Sequence, residues 1–476
     1  MKRTSLPPLR TASLALLILL TGCVNLAPPY QVPVVDTPIA FKEGSGAWVP
    51  GAPADALDRG DWWTLFDDPV LNDLASQVDF SNQNVAAALA AYALARAITR
   101  EQRAALFPQV NLNSSHNITG GPDRSTTRSY QFNIGASWEP DVFGRLHLAV
   151  ESAQASQQGA EADIASARLA AQGELATDYF NLRQTDVAIG LQRQTIAGFQ
   201  RSLQITRNRY EAGVVARTDV LQAESQLASS QADLLTLERQ RATFEHAIAV
   251  LVGKAPANFA LAADPKWSVQ VPGVPEEMPS TLLQRRPDIA SAERQVAQAN
   301  LQIGVQRAGY FPSFNLTGSI SSAASTFGNL FRASSLAWAV GSSVAQTLFD
   351  AGATTARVEQ ARASLNQAAA RYRQVVLTAF QDIEDQLVAL RTLRGQQGLR
   401  LEASRAADLV EQQTLNRYQV GQINYTDVIT AQQNALAARR ALVQAEIDRQ
   451  LAVVALIQGL GGGWGGLGTT DTSARL

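Results

Sequence analysis

The sequence predicts a membrane-associated α+β fold in which very long helices dominate and a few short strands require partners from other copies of the chain. Three observations predict it. The chain is written twice, each copy holds long proline-free stretches rich in Ala, Gln, Leu and Arg, and each copy holds two short segments that alternate apolar and polar side chains. The 476 residues are 46% hydrophobic and 17% charged, enough for a sizeable core and unlike a disordered chain. Lys plus Arg number 40 against 42 Asp plus Glu, a net charge of −2 with no basic block, which argues against a nucleic-acid partner. One cysteine and three scattered histidines suggest neither a disulfide framework nor a metal or other cofactor.

At the N-terminus, Lys2, Arg3 and Arg10 precede a short apolar run, Ala12 to Leu20, too short to span a bilayer. This is the layout of an export signal. It closes on Leu20-Thr21-Gly22-Cys23, which resembles a bacterial lipobox. Cleavage would remove the lipoprotein signal peptide, residues 1–22, and leave Cys23 as an acylated first residue held in lipid by several chains. The alternative is an ordinary signal with an incidental cysteine. Val24, where retained lipoproteins carry Asp, favours the outer membrane by resemblance to sorting rules. Residues 23–60 are rich in Pro, Gly and small side chains and read as a lipid-anchored tether.

The repeat sets the domain organisation. At an offset of 208, Arg209, Tyr210, Gly213, Thr218, Asp219 and Val220 fall on Arg417, Tyr418, Gly421, Thr426, Asp427 and Val428. The match continues through Leu234/Leu442, Glu238/Glu446, Arg241/Arg449 and Gly253/Gly461. Upstream, at an offset of 204, Phe107-Pro108 and Asn111-Leu112 fall on Phe311-Pro312 and Asn315-Leu316. The first repeat therefore runs over 61–256, a Pro-rich linker over 257–287, the second repeat over 288–461, and a flexible C-terminal tail over 462–476.

Proline is missing between Pro140 and Pro256 and after Pro312, which permits long helices. Leu175, Leu182, Ile189, Ile196, Leu203 and Tyr210 recur every seven residues, a coiled-coil seam. The long helices are predicted from Phe143 to Tyr210 and from Phe349 to Tyr418, each roughly 100 Å long, with shorter ones near Asn72–Phe107 and Asp219–Gly253.

Strands are predicted at about 109–119 and 128–139, where Val110, Leu112, Ser114, His116 and Ile118, then Tyr130, Phe132, Ile134, Ala136 and Trp138, alternate with polar or small residues. The second repeat has weaker equivalents at about 313–322 and 334–346, marked by Phe314, Leu316 and Ile320, then Leu336, Trp338, Val340 and Val344. One apolar and one polar face suits a transmembrane barrel strand. A soluble hairpin shares the pattern, and the lipobox and the aromatic residues near strand ends favour the membrane. Four strands cannot close a barrel, because an open edge in lipid leaves backbone groups unpaired. The chain must oligomerise, as a dimer with 8 strands or a trimer with 12.

The whole resembles the TolC-like outer-membrane factors, specifically their lipoprotein branch of OprM and NodT type. The resemblance rests on Trp62-Trp63-x-x-Phe66-x-Asp68-Pro69-x-Leu71, on Arg285-Arg286-Pro287-Asp288-Ile289, on the two Phe-Pro pairs, and on the two Arg-Tyr-x-x-Gly…Thr-Asp-Val turns. It covers Asp61 to about Trp464. The family implies a homotrimer whose 12-stranded barrel in outer-membrane lipid continues into a helical tunnel across the periplasm. A periplasmic membrane-fusion adaptor and an inner-membrane RND pump would dock on it, and drugs or other small molecules would pass without chemistry.

The two hairpin tips, 209–220 and 417–428, carry the candidate site. Gly213 and Gly421 fit positive-φ helix stops, and Thr218/Asp219 and Thr426/Asp427 are N-cap candidates. The resemblance places adaptor contacts at Arg209, Tyr210, Gly213, Arg417 and Gly421. It also places a pore-facing carboxylate at Asp427, which three copies would make an acidic ring. A second such ring is not implied, because Thr430 stands where relatives carry Asp. Tyr418 and Asp219 match a pair that latches the hairpins; Ile423 replaces the family's Arg partner, so a weaker latch is expected, with Arg217 as substitute.

Other candidates carry no chemistry. His116, His147 and His246 lack ligand spacing, Gly459–Gly468 lacks the Lys-Ser/Thr of a phosphate loop, and Glu384/Asp385 read as solvated. An enzyme is therefore not expected. A structural coiled-coil envelope lipoprotein has no use for alternating strands or a duplicated tip. A type I protein-secretion duct is the alternative within the channel class, and the lipid anchor and Arg-Arg-Pro-Asp-Ile element favour efflux by family association.

Overall fold

In a computed structural model of the chain, residues 26–35, 41–43, 60–273 and 286–462 are described. The signal peptide, Cys23, most of the tether, Arg285 with much of the linker, and the tail from 463 onward, including Trp464, lie outside the described residues.

The chain divides into two compact units. One comprises Met1–Val34, Tyr92–Ala160 and Ser291–Tyr372; the other comprises Val35–Ala91, Glu161–Ala290 and Arg373–Leu476. The helices are α1 (Pro69–Ser81), α2 (Gln83–Ala104), α3 (Arg145–Glu211), α4 (Arg217–Leu251), α5 (Pro287–Arg307), α6 (Ala353–Gln419) and α7 (Tyr425–Gly459). The strands are β1 (Gln109–Gly121), β2 (Arg124–Trp138), β3 (Ser313–Ala324) and β4 (Leu336–Ala345).

The offset of the sequence repeat is reproduced in the elements: α3 and α6 both span 67 residues, and α4 and α7 both span 35. The helix read near Asn72–Phe107 is instead two helices broken at Asn82. Asn82 takes an extended conformation, its Oδ1 accepts from the N–H groups of Asn84 and Val85, and its Nδ2 donates to the Leu251 carbonyl at 2.9 Å. The side chain thus caps α2 and ties it to the end of α4, which outweighs continuation of the helix.

In the first unit, β1 to β4 form one antiparallel sheet in sequence order. The register puts Leu112, Ile134, Ile320 and Trp338 in one cross-strand row, flanked by rows containing Ala136/Gly318/Val340 and Phe132/Ser322/Leu336. All lie on the apolar face. The other face carries Asn111, Asn113, Asn133, Ser137, Thr317, Ser319 and Ser343, polar but uncharged. Trp138 Nε1 donates to the Leu106 carbonyl, fixing the helical end of β2. The N-terminal segment is held here too: Arg307 and Asn300 donate to the carbonyls of Leu26 and Pro28, and Gly304 leaves no room for a Cβ beside Ala27.

In the second unit, the seam predicted from the seven-residue spacing is buried from Leu175 through Leu203, whereas Tyr210 is 44% exposed. Trp62, Trp63, Phe66 and Leu71 join Leu175, Tyr179, Phe180 and Leu182 in the main core. Asp68 explains the polar residue of that motif. Its Oδ1 caps α1, and its Oδ2 accepts from Tyr179 Oη at 2.7 Å and from Trp267 Nε1 at 3.2 Å. Arg286 donates to Asp288, Asp382 and the Gly459 carbonyl, so the Arg-Pro-Asp element ties the start of α5 to the end of α7. Glu384, expected to be solvated, accepts the backbone N–H groups of Lys42 and Glu43 at 2.7 and 2.9 Å. Asp186 is fully buried between Arg183 and Arg241, at 3.1 and 2.7 Å, and also accepts from the Asp264 N–H, pinning the linker to α3 and α4.

Candidate functional site: the paired helix turns

Both hairpins reverse direction by the same chemistry. Gly213 has φ +74° and Gly421 φ +80°, where a side chain would be strained. The Gly213 N–H reaches the Tyr210 carbonyl and the Val214 N–H the Arg209 carbonyl, both at 2.9 Å. Gly421 to Tyr418 at 3.0 Å and Gln422 to Arg417 at 2.9 Å repeat this Schellman closure. The N-caps are Ala216 and Asn424, neither with a side-chain cap bond. Thr218/Asp219 and Thr426/Asp427 are therefore not the caps; they lie inside the first turn, where a carboxylate still opposes the positive helix end.

Around this shared backbone the two copies differ. Tyr418 is 1% exposed, packed with Leu203, Ala223, Tyr425 and Val428, while its counterpart Tyr210 faces outward. Tyr418 Oη pairs with Thr206 Oγ1 at 3.0 Å, not with Asp219. Arg209, half-buried, stacks its guanidinium 4.6 Å from the Tyr418 ring centroid and donates Nη1 to the Tyr418 carbonyl. Arg417, its counterpart, is exposed. The arginine that bridges the hairpins is thus Arg209; Arg217 is exposed at the first position of α4 with no partner among the described residues.

Tyr425 packs against Tyr418 with ring centroids 5.5 Å apart and the ring planes tilted by 52°. Its hydroxyl is buried with no hydrogen-bond partner among the described residues, and burial, with the nearby Tyr418 and Asp219, pushes it up to about 12. Asp219 is half-buried beside this aromatic pair. Asp427 is exposed, and its carboxylate has no partner among the described residues; Thr430 is also exposed and returns its hydroxyl to the Thr426 carbonyl. α3 and α7 are further joined by the bonds from Gln432 to Ser202 and from Arg440 to Gln192. Sequence reasoning missed Thr206 and Tyr425. The signal was available: at the repeat offset Tyr425 stands where Arg217 stands, so the copies diverge at the first residue of the outgoing helix.

The remaining histidines have local partners or open surroundings. His116 stacks on Tyr130 at 4.2 Å, His147 Nδ1 meets Asp141 at 2.6 Å, and His246 is exposed.

Comparison with known proteins adds an independent line. The chain matches the sequence profile of a family described as outer membrane efflux protein over residues 74–254 and 278–462. It is 30% identical over 468 residues to the probable efflux pump outer membrane protein TtgC of Pseudomonas putida, with 95% of each chain covered. It is 28% identical over 462 residues to the cation efflux system protein CusC of Escherichia coli, covering 96% of this chain and 99% of CusC. Its fold is similar to that of the outer-membrane channel OprN, with TM-score 0.80 and 29% identity, covering 92% of this chain and 99% of OprN.

Proposed function

Because the chain belongs to the outer membrane efflux protein family, and is an outer-membrane efflux channel component, we propose that three copies close one 12-stranded barrel and one helical tunnel. Through it drugs or other small molecules pass from a periplasmic adaptor and an inner-membrane RND pump to the exterior, without chemistry on this protein.

The observation that carries this reading is the sheet. Its two outer strands, β1 and β4, have one neighbour each among the described residues, and one face is apolar while the other is uncharged and polar. Unpaired backbone in lipid costs several kcal/mol per group, so the edges must pair with other copies. Along β2 the apolar face runs from Tyr130 to Trp138, roughly 26 Å of strand, the order of a barrel's lipid-facing band. Cys23 would add the lipid anchor. At the tips, Arg209 on Tyr418 serves as the latch between hairpins, Asp219 sits beside it, and Asp427 faces the pore as a ring of three carboxylates. The exposed Tyr210 and Arg417, with the two glycine turns, form the adaptor contact.

The test is the mass of the detergent-extracted full chain together with its conductance in a planar bilayer. A trimer with discrete cation-selective openings supports the reading, and a monomer that never inserts overturns it.

A further inference from the structure

The charge distribution over the sheet is uneven. Across β1, β2, β3, β4 and the turns between them, the acidic, Lys and Arg residues are Asp123, Arg124, Arg128 and Arg332. All lie at the end of the sheet away from the helices: Asp123 in the β1–β2 turn, Arg124 at the first residue of β2, Arg128 four residues on, and Arg332 in the β3–β4 connection. All three arginines are exposed and none has an ion-pair partner among the described residues. At the helical end, by contrast, Arg145 is held by both oxygens of Glu139 at 2.8 Å.

The same end is aromatic, on the apolar face. Arg128 pairs in register with Ile118, two residues from the His116–Tyr130 pair. The β3–β4 connection folds over this face: the Ser322 hydroxyl donates to the Leu330 carbonyl, Phe331 packs edge-on against Phe132 at 5.7 Å, and Phe327 does so against Tyr130 at 6.0 Å. Phe327 and Phe331 nonetheless remain 65% and 70% exposed. An apolar face ending in aromatic rings and then in unpaired guanidinium groups has the profile of a lipid with acyl chains and a phosphorylated headgroup. Aromatic rings sit at headgroup level, and the guanidinium fork matches phosphate oxygens.

We propose that Arg128 and Arg332, with Arg124, bind the phosphate groups of an outer-leaflet phosphorylated glycolipid, whose acyl chains lie along the apolar face from Phe327 and Phe331 downward. This rests on the reading of the sheet as a membrane barrel.

The test uses the full-length protein in phosphatidylcholine nanodiscs, with native mass spectrometry of retained glycolipid after adding bisphosphorylated lipid A or its dephosphorylated form. Expected is about tenfold better retention of the bisphosphorylated form, the effect of one charge-assisted contact. That preference is lost in the Arg128→Gln/Arg332→Gln double variant, whose mass and incorporation stay those of the wild type. Phe327→Ser with Phe331→Ser lowers retention of both forms and keeps the preference. Equal retention of both forms, an unchanged preference in the double variant, or displacement by equimolar inorganic phosphate overturns the proposal. Failure of the wild type to enter nanodiscs at all overturns the barrel reading with it, whereas normal entry without preference overturns this proposal alone.

Discussion

Replacing Arg209 with Ala should loosen the contact between the two hairpins at the proposed latch. The side chain makes two contacts with the opposite hairpin: a charge-assisted hydrogen bond to the Tyr418 carbonyl and a stack on the Tyr418 ring at 4.6 Å. A hydrogen bond from a charged donor contributes about 1.5–3 kcal/mol and a partly exposed cation–π contact about 0.5–1. Arg209 is only half-buried, so solvent recovers part of this, leaving about 2 kcal/mol per chain, or roughly 30-fold in the opening equilibrium. If three tips release together the effects multiply, to about 3 × 10⁴-fold; if each moves alone it stays near 30-fold. Single-channel open probability in a planar bilayer reads the difference directly. Tyr418→Phe keeps the ring and loses only the bond to Thr206, so it should shift opening by about fivefold. An Arg209→Ala trimer whose open probability matches the wild type would refute the assignment of Arg209 as the latch, because the substitution removes both of its contacts with the opposite hairpin among the described residues.

Asp427→Asn should reduce the cation-to-anion permeability ratio measured as reversal potential, since it removes one exposed carboxylate per chain and changes nothing buried. Asp186→Asn should lower the thermal unfolding midpoint, because it removes the anion that Arg183 and Arg241 share: buried Arg183 is left without a carboxylate partner among the described residues, while Arg241 keeps Glu245 at 3.3 Å, a cost of about 3 kcal/mol. Gly304→Ala should increase protease cleavage of the N-terminal segment, because the new Cβ would lie 2.7 Å from the Ala27 nitrogen and 2.8 Å from Leu148 Cδ1. Burial, and then Glu174, raise Asp178 to about 6 from 3.8. The folded state therefore binds the proton more tightly, and the stability it contributes is lost as pH rises between these two values. Asp178→Asn should accordingly stabilise by about 1 kcal/mol at pH 7.5, after allowance for solvent, and have little effect at pH 4 in thermal melts.

Periodicity made the long helices and the sheet legible because both patterns extend over many residues. Leu175 to Leu203 fall on one seam, and Tyr130 to Trp138 share one face of β2. What was not legible depended on contacts between distant segments. The break at Asn82 is set partly by a carbonyl 169 residues away. Glu384 is engaged by backbone N–H groups more than 340 residues away, which no local pattern announces. Arg209 read as an outward-facing contact residue because its copy, Arg417, is identical in sequence; only packing distinguishes them.

That difference bears on how the tip is built. Duplication supplied two hairpins with the same backbone, the same glycine turns and the same helix lengths. Were the pair used alike in both hairpins, a second arginine would also have to be partly desolvated at the same seam, close to the first, at a cost in like-charge repulsion. Divergence of burial at the shared Arg-Tyr pair instead lets the arginine of one hairpin cover the tyrosine of the other. Tyr425 in place of a second arginine at the Arg217 position completes the apolar bed beneath it. The contact is therefore between unlike copies within one chain, while the Schellman closures that fold each turn involve only its own hairpin. Release of Arg209 from Tyr418 therefore breaks contacts between the hairpins and leaves both turns intact, which is the property the proposed latch requires.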